Sequence, residues 1–188
     1  MCFLLKSDKM KYLKVIALII IVAVGSMVLY VSLTPPKSPL SAVTYESELY
    51  NLEVVYSRPY KKGRLIFGSK ENEALVPYGS YWRTGANAAT TFMTGSDIEF
   101  GGKQISAGKY RLYSVPDSKS WLVSLNSESD KYFAIMDPDK SKDILEIEIN
   151  SSKTENVVEQ LTFAFSNDST GVSLNLRWDT TLISIPIK

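Results

Sequence analysis

Between Tyr56 and Thr91 the chain crowds together residue types that hold anions and stack on rings. Arg58, Lys61, Lys62, Arg64, Lys70 and Arg83 are set among Tyr60, Phe67, Tyr81 and Trp82, punctuated by Pro59, Gly63, Gly68, Pro77, Gly79 and Gly85. From residue 54 to 96 six Lys/Arg face only Glu71 and Glu73, a local charge of +4. A guanidinium is a flat fork of donors that matches carboxylate or phosphate oxygens, so Arg58, Arg64 and Arg83 are anion-holding candidates, and Lys62 adds a point charge. Gly63 and Gly85 allow backbone N–H groups to turn toward an anion. Trp82, Tyr81 and Tyr60 offer stacking faces for a sugar or base, or cation–π partners. Asn87 and Thr90 supply hydrogen-bonding groups beside them. The ligand-binding set read from the sequence is therefore Arg58, Lys62, Arg64, Trp82, Arg83, Asn87 and Thr90, for a small anionic or carbohydrate-like ligand.

The same residues have a plainer reading. Lys61-Lys62-Gly63-Arg64 is also an ordinary polar turn, and Trp82 and Phe67 are suited to a core. Arg83 would then lie against a carboxylate such as Glu99, and Asn87, Thr90 and Thr91 would satisfy loop backbone groups.

Other chemistry is limited by what the chain lacks. It has no histidine, which removes Ser-His-Asp and Cys-His nucleophilic catalysis and His-ligated zinc. Its single cysteine, Cys2, precedes the long apolar run and leaves no intrachain disulfide or thiolate cluster. Asp137–Asp143 resembles a calcium loop, but Lys142 stands where a glycine is needed and Glu148 falls in an alternating strand, so a solvated turn is the better reading. Asp97 with Glu99, and Glu146 with Glu148, read as the soluble face of half-buried strands rather than acid/base pairs. No metal and no cofactor is expected. Catalysis, the alternative to binding, would have to use Tyr, Lys or a carboxylate. A third reading is a structural or assembly role with an envelope protein as partner.

Three kinds of element must carry these residues. Residues 1–14 form a basic n-region, and Val15–Leu33 is a nearly continuous apolar run without charge. Nineteen residues at about 1.5 Å each span roughly 28 Å, close to the hydrocarbon thickness of a bilayer. Lys6, Lys9, Lys11 and Lys14 precede the run, which puts the N-terminus in the cytoplasm and the remainder outside. The rival is a cleaved signal peptide, since Ala23-Val24-Gly25 fits a signal-peptidase site, and Met10 is a second candidate start. Residues 34–42 read as a Pro-rich linker and 43–188 as the exported domain. Residues 1–37 carry +4 and the rest −3, so the domain is a poor nucleic-acid binder.

Within 43–188 short alternating runs predominate. Asn51–Tyr56, Tyr110–Val115, Trp121–Asn126 and Asp143–Asn150 read as strands, and Leu161, Phe163 and Phe165 share a face. Gly101-Gly102 predicts a hairpin that sets Ile98 opposite Ile105. Asp179-Thr180 predicts another, with Leu176 facing Ile183, Leu174 facing Ile185 and Val172 facing Ile187. Roughly ten strands and no convincing amphipathic helix predict an all-β, antiparallel sandwich or barrel-like single domain after one N-terminal transmembrane helix.

At YSRP, KGR, IFG, LVPYG and WRTGAN, and then through GGK, AGKY, Pro116, Trp121, Asn126, Asp143, Glu159 and Trp178, the chain resembles the DUF2911 domain of bacterial, mainly Bacteroidetes, proteins. The resemblance covers roughly residues 40–188. It implies an exported, all-β domain and brings no activity with it. The matching positions are Arg58, Pro59, Lys62, Gly63, Arg64, Phe67, Gly68, Pro77, Trp82, Arg83, Gly85, Ala86, Asn87 and Thr90. Two positions depart from the pattern: Ala88 stands where the family usually has Glu, and Ser127–Phe133 lacks the usual Trp-Gly pair. The sequence thus predicts a single-pass inner-membrane protein whose periplasmic β domain is a binding module.

Overall fold

The computed structural model describes residues 2–34, 36–129, 136–169 and 171–188, with only the backbone described for residues 2–9. The chain divides into two compact units, residues 1–36 and 37–188.

The first unit is one helix, α1 (Cys2–Leu33). Its apolar residues cover every face, so no polar stripe marks a side for packing on a soluble core. Met10–Leu33 is long and apolar enough to cross a membrane, a test that a signal sequence also passes. Its last turn is closed by Thr34, whose N–H and hydroxyl both donate to the Tyr30 carbonyl at 3.0 and 2.7 Å. The Thr34-Pro35-Pro36 sequence removes the amide donors that a further turn requires.

Among the described residues, the regular elements of the second unit are all strands apart from one 3₁₀ turn, Lys140–Lys142. Its strands are β1 (Leu40–Glu46), β2 (Asn51–Ser57), β3 (Phe67–Gly68), β4 (Val76–Pro77), β5 (Thr90–Thr94), β6 (Ile98–Phe100), β7 (Lys103–Ile105), β8 (Gly108–Pro116), β9 (Ser120–Asn126), β10 (Asp143–Asp168) and β11 (Gly171–Ile187). Nine of them form an antiparallel sheet in the order β1-β2-β5-β8-β9-β10-β11-β6-β7, while β3 and β4 make a short parallel pair. The first strand begins at Leu40, within the stretch read from the sequence as linker.

The 26-residue β10 bends the sheet. Asp143–Asn150 pairs with β9, and Ser151–Asp168 pairs with β11 through two register shifts. The sheet therefore folds over on itself. Tyr56 of β2 meets Phe163 of β10 edge-on at 4.8 Å between ring centroids, and Phe92 of β5 meets Phe100 of β6 at 4.9 Å. Apolar side chains at alternate positions of both halves fill the space between, as the period of two requires.

The Gly101-Gly102 hairpin has the expected register, with Ile98 opposite Ile105 and both glycines at positive φ. The predicted hairpin at Asp179-Thr180 does not form. Residues 171–187 are one continuous strand, and Leu176, Leu174 and Val172 pair with Phe163, Phe165 and Asn167 of β10. All the apolar residues assigned to that hairpin are buried, but on a single strand. The inward face changes from even to odd positions between Trp178 and Thr181, where Asp179 takes φ +54°. An irregularity here changes parity just as a two-residue turn would.

Candidate functional site

Two loops, each pinned to a neighbouring strand, bound a groove. The first runs from Arg58 to Arg64 beside β10. The Arg58 guanidinium donates from Nε to the Leu161 carbonyl and from Nη2 to Thr162 Oγ1, both at 3.0 Å. Leu161 N–H donates to the Pro59 carbonyl at 3.0 Å, and Lys61 N–H to the Glu159 carbonyl at 2.6 Å. The chain then reverses: Arg64 N–H donates to the Lys61 carbonyl at 3.1 Å, and the central Lys62 and Gly63 have φ of +49° and +70°. Two successive positive φ values are the requirement of a type I′ turn, and Gly63 meets it without strain. Glu159 Oε1 accepts the Lys62 N–H at 2.8 Å, and Lys61 Nζ lies 2.6 Å from Asp179 Oδ2 while also donating to the Arg64 carbonyl.

The second loop is Trp82 to Thr90. Trp82 is buried in an aromatic cluster, edge-on to Phe67 and stacked on Trp178 with centroids 5.9 Å apart, and its Nε1 donates to the Gly85 carbonyl. Thr84 has φ +54°, a costly conformation for a β-branched residue. Its hydroxyl meets Ser114 Oγ at 2.9 Å, and its carbonyl accepts the fully buried Thr90 hydroxyl at 3.0 Å. Gly85 packs so closely that a Cβ there would lie 2.9 Å from Thr90 Oγ1 and 3.2 Å from the Ser57 carbonyl oxygen. Asn87, at φ +58°, donates to the Ser38 carbonyl at 3.4 Å.

Between these loops lies an open groove of about 1040 Å³. Lys37, Lys62, Arg64 and Arg83 line it together with Asn87 and Tyr60, over an apolar floor of Trp82, Trp178, Val76 and Pro59. No acidic side chain is among the described residues that line it. Arg64 donates to the carbonyls of Lys61, at 2.9 Å, and of Tyr60, and Arg83 Nη1 donates to the Asn87 carbonyl at 2.9 Å. Each fork is thus oriented by neutral backbone oxygens, which fix its position without cancelling its charge. Among the described residues, neither these guanidinium groups nor the Lys62 ammonium forms an ion pair.

Of the seven residues proposed from the sequence, Lys62, Arg64, Trp82, Arg83 and Asn87 line this groove. Arg58 and Thr90 are not among its lining residues; their polar groups hold β10 and the Trp82 loop instead. Trp82 is 7% exposed and its ring is enclosed by Phe67, Trp121 and Trp178, so it contributes an edge to the floor rather than an open stacking face. Arg83 has Asn87, not Glu99, as its neighbour. Sequence reading missed Lys37 and Trp178, which reach the groove from the two ends of the β unit, and the bracing residues Glu159 and Asp179.

A second polar cluster is buried on the other face of β8. Arg111, 3% exposed, donates to Tyr81 Oη and to the Met136 carbonyl, while its Nε has no partner among the described residues. Tyr113 Oη donates to Asp143 Oδ2 at 2.6 Å, and Asn126 Nδ2 to Asp143 Oδ1 at 2.8 Å. Burial, reinforced by donation to Asp143, pushes the Tyr113 hydroxyl well above the usual phenol range; burial also raises Tyr81. Much of the Ser127–Phe133 stretch, where the family pattern has its Trp-Gly pair, lies outside the described residues.

An apolar N-terminal helix followed by an antiparallel β domain with a basic groove defines the class of protein. The chain belongs to the family described as protein of unknown function DUF2911, whose model matches residues 38–187. Neither a curated protein nor a solved structure matches the chain.

Proposed function

We propose that the β domain is a binding module for a small anionic ligand, carried on the periplasmic side of the inner membrane by α1, with the N-terminus in the cytoplasm. The observation that carries this reading is the arrangement of Lys37, Lys62, Arg64 and Arg83 around one groove, their charges facing no carboxylate among the described lining residues. Cations gathered in this way repel one another. An oxyanion removes that repulsion and gains charge-assisted hydrogen bonds worth about 1.5–3 kcal/mol each. Arg64 and Arg83 are already oriented, so little side-chain freedom remains to be lost on binding. The enclosed Trp82 ring favours an anion over a neutral sugar, because the face such a sugar would stack on is covered.

Thermal melting of the full chain with inorganic phosphate, a sugar phosphate, a uronic acid and a neutral sugar tests this. Ligands that bind only the folded state raise the melting temperature with concentration. The anionic members are expected to raise it and the neutral sugar to leave it unchanged. No shift with any anion would remove the binding reading and leave the assembly role.

A further inference from the structure

One exposed leucine lines the groove beside its cations, and a second is bonded to it through the backbone. Leu65 is 44% exposed and Leu75 43%, and the Leu75 N–H donates to the Leu65 carbonyl at 3.0 Å, so the two segments are clamped together. Leu65 directly follows Arg64, and Leu75 lines the groove with Lys62 and Arg64. A free phosphate or sugar acid would give these leucines nothing to contact. Cations beside exposed aliphatic side chains match an anionic bilayer surface, where headgroup phosphates lie next to acyl chains. The chain order adds a second reason. Lys37 follows Leu33, the last residue of a helix apolar enough to cross a membrane, by only four positions. A tether this short keeps lipid headgroups at a high effective concentration.

Resting on the anion-binding reading above, we propose that the ligand is the phosphate of an anionic phospholipid headgroup, held by Lys62, Arg64 and Arg83, with Leu65 and Leu75 against the adjoining acyl chain. The lipid is then both the surface the domain rests on and the occupant of its groove. Binding at this rim weakens as salt screens the exposed cations.

The test uses the full chain with Cys2→Ser and an environment-sensitive fluorophore on Leu65→Cys, reconstituted in nanodiscs of phosphatidylcholine alone or with roughly 30 mol% phosphatidylglycerol. A second label on Leu75→Cys guards against local damage from the first. The expected result is a blue-shifted emission in the phosphatidylglycerol discs only, reversed by millimolar inorganic phosphate and lost in Arg64→Ala/Arg83→Ala. Equal shifts in both discs would mean apolar insertion without headgroup recognition and would overturn the proposal. No shift in either disc, with phosphate still raising the melting temperature, would overturn the lipid assignment and leave the anion groove standing. No shift and no phosphate effect would remove both.

Discussion

Arg58 and Arg64 are the same residue type six positions apart, and the structure gives them different work. Arg58 is half-buried and bonds a carbonyl and a hydroxyl of β10, more than a hundred residues away, whereas Arg64 is exposed and, among the described residues, bonds only its own turn. Nothing local in the sequence separates them, because the difference lies in which distant backbone runs alongside. The consequence is measurable. Arg58→Ala is expected to cost about 1–3 kcal/mol in urea unfolding, since it leaves the Leu161 carbonyl without that donor. Lys62→Ala, on an exposed side chain, is expected to stay within about 0.5 kcal/mol while weakening anion binding. Gly85→Ala belongs with Arg58: a Cβ 2.9 Å from Thr90 Oγ1 and 3.2 Å from the Ser57 carbonyl oxygen must displace a buried hydroxyl or a strand. A loss of about 1–3 kcal/mol is expected in the same assay.

Among the elements, the Gly101-Gly102 turn is legible in the sequence and the long-range pairing of the last strand is not. Gly101-Gly102 announces itself because only positive φ closes that hairpin, and its register follows from the turn. A Cβ on Gly101 would lie 2.2 Å from Ile147 Cδ1 of β10, so the turn is fitted to its neighbour as well. Gly101→Ala is expected to destabilise by about 1–3 kcal/mol. Ile147→Val deletes the clashing atom, so the double variant should lose less than the sum of the two singles in a double-mutant cycle. The end of the chain failed for a physical reason. A two-residue turn and an irregularity at Asp179 both shift the inward face from even to odd positions, and alternation alone records only that shift. The buried cluster on β8 yields a pH effect. The folded chain holds the Tyr113 proton to a higher pH than the unfolded chain, which releases it near 10.0. Its stabilising contribution is therefore complete below that value and is lost as pH rises beyond it. The melting temperature should fall as pH rises above about 10. Tyr113→Phe should flatten that fall, while being less stable at neutral pH because Asp143 Oδ2 loses its donor.

For the whole molecule, sequence reading found the division into apolar helix and β domain and located the basic segment, because composition and alternation record both. It did not show which cations share a concavity. Lys37 and Trp178 lie 141 residues apart in sequence and meet at the groove only because the sheet folds over. If the groove takes an anion, Arg64 and Arg83 serve that ligand rather than the fold. The direct test measures phosphate affinity by calorimetry and the melting temperature on the same preparations of the parent chain and Arg64→Ala/Arg83→Ala. Phosphate binding is expected to weaken by about tenfold or more, since each factor of ten is only about 1.4 kcal/mol, with the melting temperature nearly unchanged. Equal affinity in the two proteins, or a variant that no longer folds, would contradict it.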